Sequence, residues 1–422
     1  MSEDFSVAAV ARGTPAALSV LGLGYIGLPT AAMFASAGMR VVGVDVNADI
    51  VAAINEGRTH IEEGNLNRLV AGVVAAGNLH ASITAVEADA HIIAVPTPVS
   101  SDHGPDLSYV LAAGRALAPV LRKGDLIILE STSPVGTTAV LAGLLARQRP
   151  DLVFPSAGRS EPDVHMAYCP ERIIPGRMLE ELVANDRIIG GMTPACAHRA
   201  AALYRKFVRG ECLISNDRTA EMVKLAENAF RDTSIAFANE LSMVCADLSI
   251  NVWDVIAFAN RHPRVSILNP GPGVGGHCIA VDPWFIVASD PKRATLIRTS
   301  REVNDAKIDY VIEQVDRAVA QAGAGVVACL GLTYKPDVDD FRESPALKIA
   351  RVVSAKYPGR VVCADPYAGA LPPEVTGDLR MADAATALDE ASVVVMLVGH
   401  TAFRVLLPPR DRVLVDTIGF WR

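Results

Sequence analysis

Short runs of continuous apolar and β-branched residues alternate with helical stretches through the first part of the chain. Residues 18–21, 41–45, 91–95 and 126–130 predict buried strands, and 28–38 and 109–121 predict the helices that cross between them. Apolar runs without polar alternation mark strands covered on both faces, as in a parallel sheet between helix layers. The pattern changes at Arg218. From there to Asp247 no Pro or Gly occurs, and Met222, Leu225, Ala226, Ala229, Phe230, Phe237 and Leu241 recur at helical spacing, so one helix of about 40 Å is predicted. Its position between two α/β segments suits an inter-domain spine and a dimer surface. Asn260 to Cys278 is a Pro/Gly-rich loop, long enough to be functional in its own right.

After a helix over 298–322, strands at 326–330, 360–365, 393–398 and 412–416, with a helix over 344–357, predict a second α/β unit. Its opening, Leu330-Gly331-Leu332-Thr333-Tyr334-Lys335-Pro336, echoes Leu21-Gly22-Leu23-Gly24-Tyr25-Ile26-Gly27, and a later strand ends in an acid in both units, Asp45 and Asp365. The second turn has lost two glycines and gained Lys335. The expected fold class is α/β, with two Rossmann-like, doubly wound parallel-sheet domains joined by a long central helix.

Composition narrows the partners. The 422 residues carry 39 Lys+Arg against 47 Asp+Glu, a formal net charge of −8, which argues against nucleic acid or an anionic membrane as the main partner. The length allows two or three domains, each with its own core. Seven cysteines are scattered and never form Cys-x-x-Cys, so neither a zinc site nor a disulfide framework is expected. Glu3 and Asp4 interrupt any signal-peptide pattern, and no uncharged apolar run reaches the roughly 18–20 residues that span a bilayer. The expectation is a cytoplasmic protein.

Several segments carry chemistry. Gly22, Gly24 and Gly27 follow a strand and open a helix, where close backbone amides can receive a pyrophosphate. A generic strand–turn–helix corner has the same spacing; Asp45, at the end of the next strand and suited to a ribose, favours a dinucleotide and NAD over NADP. Val95-Pro96-Thr97-Pro98 and the run from Glu130 to Thr138 fall at strand ends where such sheets bind ligands. On the long helix Lys224 and Asn228 share a face with Arg231 near its edge, either as a functional cluster with a partly buried lysine or as a solvated face with Glu221 and Glu227 as ion-pair partners.

Gly271-Pro272-Gly273-Val274-Gly275-Gly276-His277-Cys278 places four glycines before a thiol, freeing space and flexible amides around it. Two helix starts fit: an N-cap at Asp282 followed by Pro283, or a start near Gly276 that puts Cys278 at the positive end and favours its thiolate. A cysteine in isolation is more often a small core residue. His277 receives no role. Arg261, His262 and Arg264 suit a phosphate or sugar, or form a solvated loop.

With these segments assembled, the chain resembles the UDP-glucose/GDP-mannose dehydrogenase family over nearly its whole length. The resemblance is carried by residues 22–27, 131–136, Tyr168-Cys169-Pro170-Glu171-Arg172, 224–231, 271–283 and 334–345, in order. Residues 218–232, 260–268 and 270–287 most resemble the branch that oxidises UDP-N-acetyl-D-mannosamine. The resemblance implies a four-electron oxidation of a primary alcohol to a carboxylate for surface polysaccharide synthesis, with two NAD+ used in succession. It implies Cys278 as the nucleophile, through a thiohemiacetal and a thioester. Lys224 and Asp282, with a water on Asn228, would manage the first proton, and Glu171 with Thr132 would help hydrolyse the thioester.

The resemblance also assigns Gly22, Gly24, Tyr25, Ile26, Gly27, Asp45, Thr97, Thr138 and Arg342 to NAD. It assigns Arg172, Ile173, Lys224, Asn228, Arg231, His262, Arg264, Gly275, Tyr334 and Lys335 to the UDP-sugar, with His262 and Arg264 approaching the neighbouring subunit of a homodimer. The corresponding partition is an N-terminal extension at 1–17, an NAD-binding domain at 18–212, a central helical dimerisation and active-site region at 213–310, and a UDP-sugar-binding domain at 311–422. The alternatives are the same chemistry on UDP-GlcNAc or UDP-glucose, and a catalytically silent NAD/UDP-sugar binding module. Retention of Cys278, Lys224, Asp282 and Glu171 together argues against the silent module.

Overall fold

Strands with no polar alternation form two sheets in the computed structural model. It describes residues 16–422 except 62, 101–102, 157–160, 174–175, 277, 371–378 and 409. Residues 1–15 of the expected extension and His277 therefore lie outside the described residues. The chain divides into two compact units between Leu225 and Ala226.

The first unit contains β1 (Ala17–Leu21), β2 (Arg40–Val44), β3 (Leu79–Ser82), β4 (Ala90–Ile93), β5 (Leu126–Leu129), β6 (His165–Tyr168), β7 (Arg187–Gly191) and β8 (Cys212–Asn216), in the order β3-β2-β1-β4-β5-β6-β7-β8. Why these strands read as continuous apolar runs is visible in β5. Leu126 and Ile128 enter one core with Leu18, Val20 and Ile92, while Ile127 and Leu129 enter another with Leu21 and Ile93. Both faces are covered, so no position is left for a polar residue. The order reverses between β1 and β4, which opens a crevice at their carboxyl ends. One expectation fails: β7 runs antiparallel to β6, pairing Ala167 with Gly191 and Tyr168 with Gly190. Among the described residues their connection holds one helix, the seven-residue Met178–Ala184, and antiparallel neighbours need no full crossover.

The second unit repeats the theme in four parallel strands, β9 (Val326–Leu330), β10 (Val361–Ala364), β11 (Ala391–Met396) and β12 (Val413–Asp416), ordered β10-β9-β11-β12. The sequence echo is geometric. Gly22 N donates to Val44 O and Gly331 N to Ala364 O, both at 2.8 Å, and both glycines have positive φ, +89° and +83°. A Cβ at either would lie within 2.5 Å of a carbonyl oxygen, of Ala94 or of Val398. Ser344 caps the helix Pro345–Lys356 by accepting from Leu347 N.

The long helix spans Asp217–Asp247, 31 residues. Its apolar positions do not all face a core. Leu225, Ala229, Ala236 and Ala238 are buried, whereas Phe230 and Phe237 are 75% and 56% exposed. A periodic stripe on a helix says that residues share a face and not what covers that face.

Candidate functional site

The first unit builds a cradle at the crevice between β1 and β4. A Cβ at Gly27 would lie 1.8 Å from Gly22 O, so the helix Gly27–Ser36 can start this close to the turn only with glycine there. Gly24 has open space where a Cβ would stand. Asp45 is held ready: Oδ2 accepts from Leu23 N and Oδ1 from Asn47 N, both at 2.9 Å. Open glycine amides and an oriented carboxylate fit the pyrophosphate and ribose of a dinucleotide. Tyr25 is exposed and Ile26 half-buried at the same turn. Thr97 Oγ1 donates to Thr132 O at 2.5 Å and Ser131 Oγ to Val95 O at 2.7 Å, which makes one wall of the loops after β4 and β5.

Thr138 stands in the first turn of the helix Thr137–Gln148. It is fully buried, and its amide and hydroxyl both donate to Glu221 Oε1, at 2.8 and 2.7 Å, while Gly136 N donates to Glu221 Oε2. Thr138 and Gly136 are thus tied together through one carboxylate. Glu221, an ion-pair candidate by its helix position, is fully buried at the N-terminus of the helix Thr137–Gln148, where free amides and the helix dipole favour a carboxylate. Burial raises its pKa against the hydrogen bonds from Gly136 and Thr138.

Glu171 follows β6 and is nearly buried. Its Oε1 accepts from Arg172 N at 2.7 Å, and its Oε2 pairs with the Arg187 guanidinium from β7. The same guanidinium reaches Glu130 Oε1 at 3.2 Å, to which Tyr204 donates at 2.5 Å, and lies 4.3 Å from the Tyr204 ring centroid. One buried cation therefore serves two carboxylates. Burial pushes Glu130 up to about 7, the pull of Arg187 opposing and the charge on Glu171 adding to it. Arg172 and Ile173 are half-buried beside this network, with the Arg172 guanidinium donating to Asp186 O.

A raised pKa means that Glu130 binds its proton more tightly in the folded chain than in the unfolded one. Its contribution to stability is complete below pH 4.5 and, on the order of 3 kcal/mol, is lost as the pH rises to about 7. Glu130→Gln removes that dependence, so between pH 4.5 and 7.5 the variant should gain about this much relative to the parent chain. Urea denaturation at both pH values checks it, and an unchanged difference contradicts it.

Lys224 is half-buried on the long helix, with Asn228 one turn on. Asn228 Nδ2 donates to Asp282 Oδ2 at 2.5 Å. Asp282 is the first residue of the helix Asp282–Ser289, whose N-cap is Val281. The helix therefore starts at Asp282-Pro283, one residue earlier than the first alternative placed it, and not near Gly276. The Cys278 carbonyl accepts from Val281 N at 3.0 Å and Asp282 N at 2.8 Å, so the half-buried thiol sits on a turn bonded to the helix start.

The glycines before Cys278 answer to packing more than to flexibility. A Cβ at Gly275 would lie 2.5 Å from Glu343 O, and one at Gly276, whose φ is +84°, would lie 2.9 Å from the Tyr334 ring. Gly276 N donates to Arg342 O at 3.2 Å. The thiol-bearing loop and the Tyr334 turn are thus brought together. Tyr334 and Lys335 line a cavity of about 760 Å³ with Asn269, Arg404, Phe420 and Trp421. Burial lowers the Lys335 pKa, nearby Arg231 acting the same way and Asp340 opposing. The exposed Arg342 is forked by Asp340 at 2.9 and 2.6 Å. Arg231, Arg261, His262 and Arg264 are exposed in the single chain.

Sequence reasoning missed the polar chain that fixes this loop's start. Arg301 Nη1 donates to Asp232 Oδ1 at 2.7 Å, Asn304 to the same oxygen at 2.8 Å, Asn239 to Asn304 at 2.9 Å, and Gly271 N to Asn239 at 2.9 Å. The signal was available: Asp232, Asn239, Arg301 and Asn304 are polar residues at buried positions of long helices. Among the described residues no helix is long and apolar enough to cross a membrane.

Comparison with known proteins agrees with this geometry. Three models of the UDP-glucose/GDP-mannose dehydrogenase family match: the NAD binding domain at residues 16–208, the central domain at 218–306 and the UDP binding domain at 328–422. The UDP-N-acetyl-D-mannosamine dehydrogenase of Salmonella typhi is 54% identical over 417 residues, covering 96% of this chain and 99% of that protein. The NDP-N-acetyl-D-galactosaminuronic acid dehydrogenase of Ralstonia nicotianae is 54% identical over 406 residues, covering 96% of each. The solved structure of a UDP-D-ManNAc dehydrogenase from Pyrococcus horikoshii superposes with a TM-score of 0.86 at 37% identity, covering 96% of each chain. By matches that run almost end to end, this chain belongs to the UDP-glucose/GDP-mannose dehydrogenase family and is a nucleotide-sugar dehydrogenase with an NAD-binding and a UDP-binding domain.

Proposed function

We propose that the protein oxidises UDP-N-acetyl-D-mannosamine at its primary alcohol to the uronate. The observation that carries the chemistry is the bond between Asn228 and Asp282 on a helix start to which the Cys278 turn is tied. The names and near-full-length identity of the relatives support the choice of sugar. NAD+, when bound, supplies the oxidising equivalents, one molecule for each of the two oxidations.

The chain's own residues do the rest. Lys224 and Asp282, with a water on Asn228, take up the alcohol proton in the first oxidation. Cys278 adds through sulfur to the aldehyde carbon, and the second oxidation leaves a thioester. Glu171, with Thr132, takes a proton from water as it attacks that carbonyl; the carbon–sulfur bond breaks and the thiolate returns. Covalent capture keeps a reactive aldehyde from leaving. Tyr334 and Lys335 hold the UDP in the 760 Å³ cavity, and Arg172, Ile173, Arg231 and Gly275 complete the substrate contacts, with Arg342 on the cofactor side.

The working partition remains an NAD-binding domain at 18–212, a central region at 213–310 and a UDP-sugar domain at 311–422. Six cysteines buried as thiols support a cytoplasmic setting, and a surface polysaccharide is the destination of the product. The test of the sugar is a panel: kcat/KM should be highest for UDP-N-acetyl-D-mannosamine, and equal or better turnover of UDP-glucose, UDP-GlcNAc or the galacto isomer overturns the assignment.

The functional unit in this reading is a homodimer. Phe230, Phe237 and Val244 stand seven residues apart on the long helix, 75%, 56% and 49% exposed, which is a continuous apolar seam for a second copy. His262 and Arg264, exposed in the single chain, then reach the neighbouring subunit's site. Phe237→Asp should weaken dimerisation by at least about thirtyfold, as loss of a central aromatic anchor does. Light scattering across a dilution series checks it, and a parent chain that is monomeric at every concentration contradicts the dimer.

A further inference from the structure

The two units share a strand-end acid, and they use it differently. Asp45 in the first unit is half-buried, and among the described residues its carboxylate accepts from two backbone amides, Leu23 N and Asn47 N, with capacity left for a ligand. Asp365 in the second accepts from Leu332 N at 2.6 Å in the same way, but a fully buried imidazole closes it: His400 Nε2 lies 3.1 Å from Asp365 Oδ2.

The tautomer follows from the partners. Asp337 N can only donate, and it lies 3.1 Å from His400 Nδ1, so Nδ1 is the acceptor and Nε2 carries the hydrogen. That hydrogen faces Asp365 Oδ2, with Thr333 Oγ1 3.2 Å from the nitrogen, while the Thr333 hydroxyl donates its own proton to Lys335 O at 2.9 Å. Thr401 closes the frame, its amide and hydroxyl donating to the Asp337 carboxylate at 2.9 and 2.7 Å. The ring is packed against Tyr367 and edge-on to Phe403, with centroids 5.5 and 5.3 Å away. The bonds of Thr333 and Asp337 tie His400 to the turn from Thr333 to Asp337, which carries Tyr334 and Lys335 into the cavity. Val398 and Gly399 line that cavity and His400 does not.

We propose that His400 is a positioning residue for the sugar nucleotide: its neutral imidazole occupies the strand-end acid that serves a ribose in the first unit and locks the Thr333–Asp337 turn so that Tyr334 and Lys335 meet the UDP. This rests on the reading that the cavity holds the UDP. It also separates two units that share a strand order and a strand-end acid, because in the second unit the acid is already engaged from inside.

The test uses the full-length protein, with UDP binding followed by calorimetry alongside steady-state kinetics. His400→Ala should raise both the dissociation constant of UDP and the KM for the UDP-sugar about tenfold, the effect of losing a buried hydrogen-bond anchor, with kcat and the KM for NAD+ within about twofold of the parent. His400→Gln, which can accept from Asp337 N and donate to Asp365, should restore most of the affinity. If the alanine variant does not fold, His400→Phe keeps the packing against Tyr367 and Phe403 while removing both polar contacts, and the same rise is expected. UDP affinity unchanged in His400→Ala or His400→Phe while Lys335→Ala weakens it overturns the role of His400 and leaves the cavity reading intact. UDP affinity unchanged in Lys335→Ala as well overturns both. A parallel fall in kcat and in NAD+ affinity makes His400 a general structural residue and overturns the proposal.

Discussion

Cys278→Ser is expected to slow uronate formation by at least about a thousandfold, on the scale of removing a covalent nucleophile, while the first oxidation proceeds. The reason lies in the two acids compared. A thiol is partly ionised near neutral pH and a serine hydroxyl is not, so addition to the aldehyde becomes slow; the oxygen ester that would follow is also a poorer acyl donor than a thioester. The turn itself should survive, because its hydrogen bonds run through the Cys278 carbonyl to Val281 N and Asp282 N and not through the side chain. Product analysis by mass spectrometry should then show aldehyde or its hydrate in place of uronate. Uronate at the parent rate would remove Cys278 from the mechanism.

Glu171→Gln should stop the reaction one step later. Both oxidations remain possible, and the thioester then waits for a water that has lost its base, a loss of roughly a hundredfold to ten-thousandfold in hydrolysis. The expected signature is a rapid burst of two NADH per active site followed by a slow steady state, with the acyl group found on the protein in its intact mass. Glutamine can still accept a bond from Arg187 through its amide oxygen, so the buried pairing with Glu130 is disturbed less than by a truncation. A variant that releases uronate at the parent rate, with no burst, would assign the hydrolysis to another group.

Much of the fold was legible because its strands obey a local rule. In β5 all four residues are buried, alternate ones entering opposite cores, and a run with no polar position is visible without knowing its neighbours. The echo between the turns at Gly22 and Gly331 was legible for a related reason: a positive φ and a carbonyl within 2.5 Å of the missing Cβ leave glycine as the residue that fits. What sequence reading missed is closed through space. Glu221 meets Thr138 and Gly136 across 83 and 85 residues, and Arg187 meets Glu130 across 57. No spacing along the chain encodes such pairs, so the burial of Glu221 against Gly136 and Thr138 could not be read from its helix position. Phe230 and Phe237 mark a second limit, since helical spacing looks the same for a face that packs inside the chain and one that stays exposed.

The central claim is a four-electron oxidation at one site, and stoichiometry tests it most directly. Purified protein given limiting UDP-N-acetyl-D-mannosamine and excess NAD+ should form two NADH for each sugar consumed and one equivalent of the uronate, with no free aldehyde released. One NADH per sugar with aldehyde in solution, or no NADH from a protein that still binds both ligands, would contradict it.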